Sequence, residues 1–204
     1  MTVSGTQAIS EPVQAGYAGL WLLVKSDLAA WRDLFAPESI GRRLSPSIAV
    51  RLICAYAGLR AALVYRLAHH LQRRRIPIVP TILTQVNLTL HGLDVVPSVA
   101  IGPRFYAPHP MGTVIMARQL GAGVTVVSGV TIGMRKGHAF PTIGDDVYIG
   151  AGARILGGIT VGNRVSVGAN AVVLNDVPDD SVAVGVPASV RPARRGSPIE
   201  ATGG

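Results

Sequence analysis

Five histidines are the side chains of this 204-residue chain best able to move a proton near neutral pH: His69, His70, His91, His109 and His138. His109 stands between two prolines in Phe105-Tyr106-Ala107-Pro108-His109-Pro110-Met111-Gly112. An imidazole there can take the proton of a hydroxyl as that hydroxyl attacks a thioester, a step for which a free alcohol is too poor a nucleophile. A carboxylate on the other ring nitrogen would fix the tautomer and stabilise the imidazolium that forms. Asp94 lies fifteen residues before His109. Taken singly, His109 also reads as a surface histidine at a turn, and Asp94 as a cap where a helix ends. His69, His70 and His91 fall in helical stretches or at their ends and read as surface or packed residues. With only His109 and His138 outside them, no metal-ligand spacing is present, and no metal is expected. Cys54, the single cysteine, excludes an internal disulfide framework and fits a reducing, cytoplasmic setting. Its apolar helical surroundings point to a buried thiol.

The elements that must position these groups are legible from Ile143 to Pro178. In blocks of six, the first position is Ile143, Ile149, Ile155, Val161, Val167 and Val173, and the fifth is always apolar, from Val147 to Val177. Two residues apart in an extended chain, the fifth and the next first position point to the same face. The fourth position is Asp146, Gly152, Gly158, Arg164, Asn170 and Asp176. Five of these six types accept a left-handed backbone and can turn the chain. Strand, corner and strand repeated in this way give a solenoid with an aliphatic interior. A helix would need a 3.6 period instead. The same period starts at Val95 and Ile101, resumes through Val114, Leu120, Val126 and Ile132, and halts over Met134–Thr142 before returning in phase. That interruption reads as an extruded loop, and solenoid insertions often lie on the binding face. The expected solenoid runs from about 94 to 178, roughly thirteen hexads in about four coils. Asp94 and His109 are about three hexads less one corner apart, a spacing that would stack them on adjacent coils.

Ahead of the solenoid the chain reads as helical. Leu20–Phe35 forms one helix, stopped by Pro37. Ser45-Pro46 opens a second that runs to about Arg75. A third, from about Thr81 to Leu90, ends at Gly92. The organisation is therefore a disordered N-terminus (1–17), a helical segment (18–92), a solenoid domain (93–188) with its extruded loop (134–142), and a basic tail (189–204). Hydrophobic content of 49% with only 5% aromatic residues suits a Val, Ile and Ala filling. The net charge of +8 owes much to Arg73-Arg74-Arg75 and to Arg191, Arg194 and Arg195. Such charge attracts phosphate-bearing ligands, or is simply a solvated surface. No aromatic-interleaved basic motif supports nucleic-acid binding. The apolar run from Ile48 to Leu71 is broken by Arg51, Arg60 and Arg66, which argues against a membrane span and leaves a surface-lying position open without indicating it.

The hexads resemble those of the bacterial hexapeptide-repeat acyltransferases, whose fold is a left-handed parallel β-helix. Tyr65-Arg66-Leu67-Ala68-His69, Gly92-Leu93-Asp94, Val130-Thr131-Ile132-Gly133 and Gly185-Val186-Pro187-Ala188 further resemble the serine acetyltransferase branch. The similarity covers roughly Asp27 to Arg195. It implies an acetyl-CoA-dependent O-acetyltransferase with His109 as general base and Asp94 as its partner, working in a ternary complex without a covalent acyl carrier. It implies a homotrimer, or a hexamer of paired trimers, with acetyl-CoA in a groove between neighbouring subunits. Gly133 then corresponds to a backbone N–H near the thioester, where a donor stabilises the oxyanion. Gly150, Ala151 and Ala169 match small residues along the pantetheine arm, though tight solenoid corners alone would also explain them. Arg191, Arg194 and Arg195 are candidates for the nucleotide phosphates, with an untethered tail as the equal alternative.

Three departures bear on the acceptor. Ala36 stands where serine-specific members carry an acid, Pro108 where they carry Asp before the histidine, and Ala139-Phe140 where they carry Arg-His. A zwitterion held without counter-charges binds poorly. The Pro-His-Pro setting is similar to that of homologues that acetylate sugar hydroxyls. The expected acceptor is therefore a sugar hydroxyl, contacted by Pro108, Phe140 and His138, the last in partial place of the missing loop histidine, with L-serine as the alternative. A catalytically silent scaffold is the reading from another class, against which the presence of both His109 and Asp94 counts.

Overall fold

The computed structural model describes residues 19–35 and 45–193. Expectations for residues 1–17, for Ala36 and for Arg194 and Arg195 lie outside the described residues. Four helices open the fold: α1 (Leu20–Phe35), α2 (Pro46–Ala55), α3 (Ala57–Arg73) and α4 (Val79–His91). Strands β1 (Leu93–Val95), β2 (Ala100–Ile101), β3 (Thr113–Ile115), β4 (Gln119–Leu120), β5 (Thr125–Val126), β6 (Thr131–Gly133) and β7 (Thr142–Ile143) follow. The remainder are β8 (Tyr148–Ile149), β9 (Arg154–Leu156), β10 (Thr160–Val161), β11 (Ser166–Val167), β12 (Val172–Val173), β13 (Ser181–Val184) and β14 (Ser189–Pro192).

The hexad pattern becomes three parallel sheets wound into a left-handed β-helix. The first sheet has the order β1-β3-β6-β9-β12, the second β10-β7-β4-β2, and the third β14-β13-β11-β8-β5. Five rungs in the first sheet make the solenoid about one pass longer than the four coils expected. The inward pairs are those the period selects: Val147 with Ile149, Ala153 with Ile155, Val165 with Val167 and Ala171 with Val173 are all buried. Tyr148, Arg154, Ser166 and Val172 between them point outward, as alternation requires.

The corners follow the sequence with instructive exceptions. Asp146, Gly152 and Asn170 take φ of 52°, 72° and 56°. Arg164, the one fourth-position type not suited to this region, takes φ 54° as well. Its guanidinium meets the Asp180 carboxylate of the next coil at 2.7 and 2.8 Å. Gly158 and Asp176 do not turn this way; Gly157 carries the corner instead, at φ 105°. The Asp176 carboxylate accepts from the Thr160 N–H at 2.7 Å. Ser189–Pro192, expected as the start of a tail, is antiparallel to β13 and closes the last coil.

The helix expected from Ser45-Pro46 to Arg75 is two helices. Ser45 caps α2 by accepting from Ile48 N–H, with Pro46 in the first turn, as anticipated. The chain then breaks at Tyr56, which is extended (φ −115°, ψ 112°), and α2 and α3 meet at 104°. Tyr56 leaves the helical path to join Trp31 and Phe35, with ring centroids 5.2 and 4.3 Å away. Aromatic packing outweighs the loss of a few helical hydrogen bonds. Cys54, on the short α2, is exposed rather than buried, because only Leu52 of that helix is fully covered.

A buried ion pair joins the helices to the solenoid. Arg66 on α3 donates to both Asp27 carboxylate oxygens on α1, at 2.8 and 3.1 Å, and neither side chain is exposed. Arg66 also donates to the carbonyls of Ile101 and Gly102, while Asp27 accepts from Phe105 N–H at 3.0 Å. Burial pushes the Asp27 carboxyl above its ordinary value, and Arg66 and the Phe105 N–H pull against that rise. Asp27→Ala strands the Arg66 charge, and a urea titration is expected to show a loss of about 3–5 kcal/mol.

Burial holds the His69 imidazole below its ordinary pKa of 6.5; the Pro97 carbonyl opposes this, and Arg73, Arg66 and His70 add to it. His91 is lowered too, by burial and by Arg60. The unfolded chain binds protons at these sites from about pH 6.5 downward while the folded chain resists them. Their contribution to stability is therefore complete above that pH and is lost as pH falls toward the depressed folded values. A thermal melt at about pH 5 should show a lower midpoint than at about pH 7.5, and His69→Gln should narrow the gap.

Candidate active site

The segment carrying His109 is gripped from the helical side at four points. Phe105 N–H is bonded to Asp27. Tyr106 packs its ring 4.7 Å from that of Trp31. Gly58 on α3 lies so close that a methyl group there would collide with the Ala107 carbonyl oxygen and come within 3.1 Å of that of Pro108. Gly92, in the left-handed region at φ 68° and closing α4, lies against Met111. Thr113 N–H then donates to Gly92 at 3.3 Å and to Pro110 at 3.0 Å. His109 is thereby presented, exposed, on the corner that leads into β3.

Asp94 sits in β1, half-buried, two residues after Gly92, and its Cα pairs with Val114 of β3. β1 and β3 are adjoining rungs of the first sheet, and His109 lies on the corner four residues before β3. Neither the Asp94 carboxylate nor the His109 ring makes a hydrogen bond within the single chain, among the described residues. The register extends Asp94 into an outward column with Val114, Thr131, Arg154 and Val172. Sequence reading did not single out Arg154, whose guanidinium donates to the Gly129 carbonyl on the neighbouring coil. Its outward position in a buried-exposed-buried hexad was the available signal. Gly58 was also passed over, although a glycine inside a helix usually marks a close approach.

Gly133 is the last residue of β6, the central strand of that sheet. A methyl group on it would meet nothing within 4 Å, and its backbone is ordinary. Packing and conformation within the chain therefore give no reason for glycine here. Gly150 is the contrary case: a methyl would come within 2.7 Å of Ala169 N, so the fit between coils explains it. Ala151 and Ala169 occupy matching corners of successive coils, with Asn170 N–H donating to Ala151 at 2.8 Å. The extruded loop leaves directly after Gly133 and folds over the corner below. A methyl on Gly158 would lie 2.6 Å from Ala139 Cβ, and one on Gly157 3.6 Å from Arg135 Cβ. Arg135, Lys136 and His138 are exposed on this loop and Phe140 is half-buried. Arg191 lies exposed in β14, paired with Val182 on the third sheet. Among the described residues, no group of three or more His, Cys, Asp or Glu is placed to hold a metal ion.

Residues 140–175 match the family described as bacterial transferase hexapeptide (six repeats). The serine acetyltransferase of Helicobacter pylori (strain ATCC 700392 / 26695) is 43% identical over 138 residues, 66% of this chain and 81% of its own length. Soybean serine acetyltransferase complexed with serine superposes with a TM-score of 0.73 at 33% identity, over 84% of this chain and 69% of that one. A serine acetyltransferase in complex with CoA gives 0.71 at 30% identity, over 84% and 70%. The chain spans 67% and 66% of the length of two Bacillus relatives.

These likenesses overturn the expectation of a sugar acceptor, since the relatives and the solved neighbours are serine acetyltransferases. The expectation weighed three replaced positions and His138 as a partial substitute, but it gave no weight to Arg135 and Lys136, which stand exposed on the same loop five and four residues before Phe140.

Two glycine substitutions separate ligand from packing. Gly133→Ala is expected to leave the unfolding free energy within about 0.5 kcal/mol of the parent while weakening acetyl-CoA turnover. Gly150→Ala is expected to lower the melting midpoint, by overpacking worth about 1–3 kcal/mol. Equal thermal effects of the two would remove the distinction.

Proposed function

The chain belongs to the serine acetyltransferases, within the hexapeptide-repeat transferases, and from that premise we propose that it transfers the acetyl group of acetyl-CoA to the hydroxyl of L-serine. It is an acyltransferase with acetyl-CoA as co-substrate. The observation that carries the reading is the clamped Phe105–Gly112 segment, which fixes the exposed His109 beside the rung of Asp94.

In the proposed reaction the serine hydroxyl attacks the thioester carbonyl as the His109 ring nitrogen takes its proton. Asp94 turns and steadies the imidazole and offsets its charge once protonated. Gly133 N–H donates to the oxyanion of the tetrahedral intermediate. Collapse breaks the carbon–sulfur bond, and the imidazolium returns its proton to the departing thiolate. The products are O-acetylserine and CoA, with no acyl group carried by the protein. Arg135 and Lys136 supply positive charge for the serine carboxylate, and His138 a ring N–H donor. Ala151 and Ala169 let the pantetheine arm run close to the backbone, and Arg191 offers a charge to the nucleotide phosphates.

His109 precedes β3 by four residues and Gly133 is the last residue of the neighbouring strand β6, so the two stand toward opposite strand ends of the first sheet. A seam between two copies of the chain would bring the Gly133 end of one toward the His109 end of the next. The proposed assembly is a homotrimer with each site shared between neighbours, and the proposed setting is the cytoplasm, in keeping with a single unpaired cysteine.

Thiol release from acetyl-CoA in the presence of L-serine tests the reading. His109→Ala should lower kcat by about 10²–10⁴ with little change in folding. Asp94→Asn should lower it less and shift the acid limb of the pH profile. Release that needs no L-serine, or that survives loss of the imidazole, would refute the proposal.

A further inference from the structure

Helix α4 is polar inside and apolar outside. Its buried residues are Pro80, Asn87 and His91. Asn87 donates to the Ala61 carbonyl at 3.1 Å and meets His91 Nδ1 at 3.0 Å, so amide and imidazole face α3. The opposite side shows water Ile82, Val86 and Leu90 at four-residue spacing, continuing a stripe that begins at Ile78. A surface helix of a globular protein ordinarily has the reverse arrangement, and an exposed apolar stripe of this length marks a contact surface.

The turn before α4 presents the same chemistry under strain. Val79 N–H donates to Pro77 at 2.6 Å, closing a three-residue turn with Ile78 at its centre. Ile78 holds φ 67° and ψ −52°, a conformation costly for a β-branched residue, and is 72% exposed. Ile76 and Val79 are exposed beside it. Immediately before them come Arg73, Arg74 and Arg75, all exposed and in no salt bridge among the described residues. From Ser45 to Leu93 the sequence contains no Asp or Glu at all.

We propose that the outer stripe of α4 and the arginine-bearing turn before it form a peripheral docking surface for an anionic phospholipid bilayer. Ile78, Ile82, Val86 and Leu90 enter the boundary between headgroups and acyl chains, and Arg73 to Arg75 meet the lipid phosphates. Apolar stripe and adjacent cationic cluster are the two ingredients of interfacial binding. Charge favours this occupant: Arg73 to Arg75 lie beside the stripe in a segment without an acid from Ser45 to Leu93, so the surface is complementary to an anionic one. The surface lies on the bilayer rather than crossing it: among the described residues, no single helix is long and apolar enough to span.

Co-sedimentation of the full chain with vesicles is the test. Vesicles of phosphatidylcholine with equal parts phosphatidylglycerol should capture it at least about tenfold better than phosphatidylcholine alone, and added salt should weaken the capture. Replacing Arg73, Arg74 and Arg75 by Gln should cost about fivefold per residue, roughly a hundredfold together. Ile82→Asn with Leu90→Asn should abolish capture at an unchanged melting midpoint. If the second variant fails to fold, the arginine variant on the exposed turn decides alone. No capture, equal capture by neutral vesicles, or undiminished capture of the arginine variant overturns the proposal. So does sedimentation velocity in which Ile82→Asn with Leu90→Asn splits the assembly of a parent that never binds vesicles, which would give the stripe to a second copy.

Discussion

The ion pair between Asp27 and Arg66 is the constraint on which the rest of the arrangement depends. It is wholly buried, and it touches three separate parts of the chain at once: α1, α3 and the backbone from Ile101 to Phe105. Taking two charges out of water costs several kcal/mol per ion, and their attraction returns this only with near-complete hydrogen bonding. That completeness is present here, since the carboxylate receives a backbone N–H and the guanidinium finds two carbonyls. A pair of this kind contributes little net stability against an apolar substitute, but it tolerates few alternative geometries. Its effect is to set where the helical segment sits on the solenoid.

From that seat the placement of His109 follows. The chain leaves Phe105 anchored, runs Tyr106 into an aromatic cluster with Trp31 and Tyr56, and passes Gly58 at a distance only glycine allows. By the time it reaches Pro108 its backbone has little freedom left. The imidazole is exposed, yet it projects from a segment fixed by packing on a separate part of the fold. Positioning of this kind, built from contacts that never touch substrate, is what a general base needs if it is to meet a proton without first searching for it.

The two proposals draw on opposite uses of exposure. At Gly133 the missing side chain is unexplained by anything inside the chain, which directs attention to a ligand outside it. On α4 the excess of apolar side chains is likewise unexplained from within. The solenoid offers no such anomalies along its filled interior, where nearly every Val and Ile is covered. Function on this fold accordingly lies at the edges and at the helical end, and the repeat serves as a rigid post.

The sequence by itself determined the solenoid, because its period is local. A fifth and a first position two residues apart must share a face, and a residue tolerant of positive φ must mark each corner. It also carried His109, Asp94 and Gly133 as candidates, through their types and their setting in the repeat. It led astray where chemistry depends on partners far along the chain. Arg66 read as an interruption in an apolar run, and its partner stands 39 residues away with no periodic trace of the contact. The break at Tyr56, the exposure of Cys54 and the turning of Arg164 were decided by an aromatic cluster, a short uncovered helix and an acid on the next coil. Each is a contact between segments that only folding brings together, so no local pattern could announce it. The acceptor was misjudged for a different reason: charge was counted position by position against a motif, and Arg135 and Lys136, in plain view on the same loop of sequence, were left out of the count.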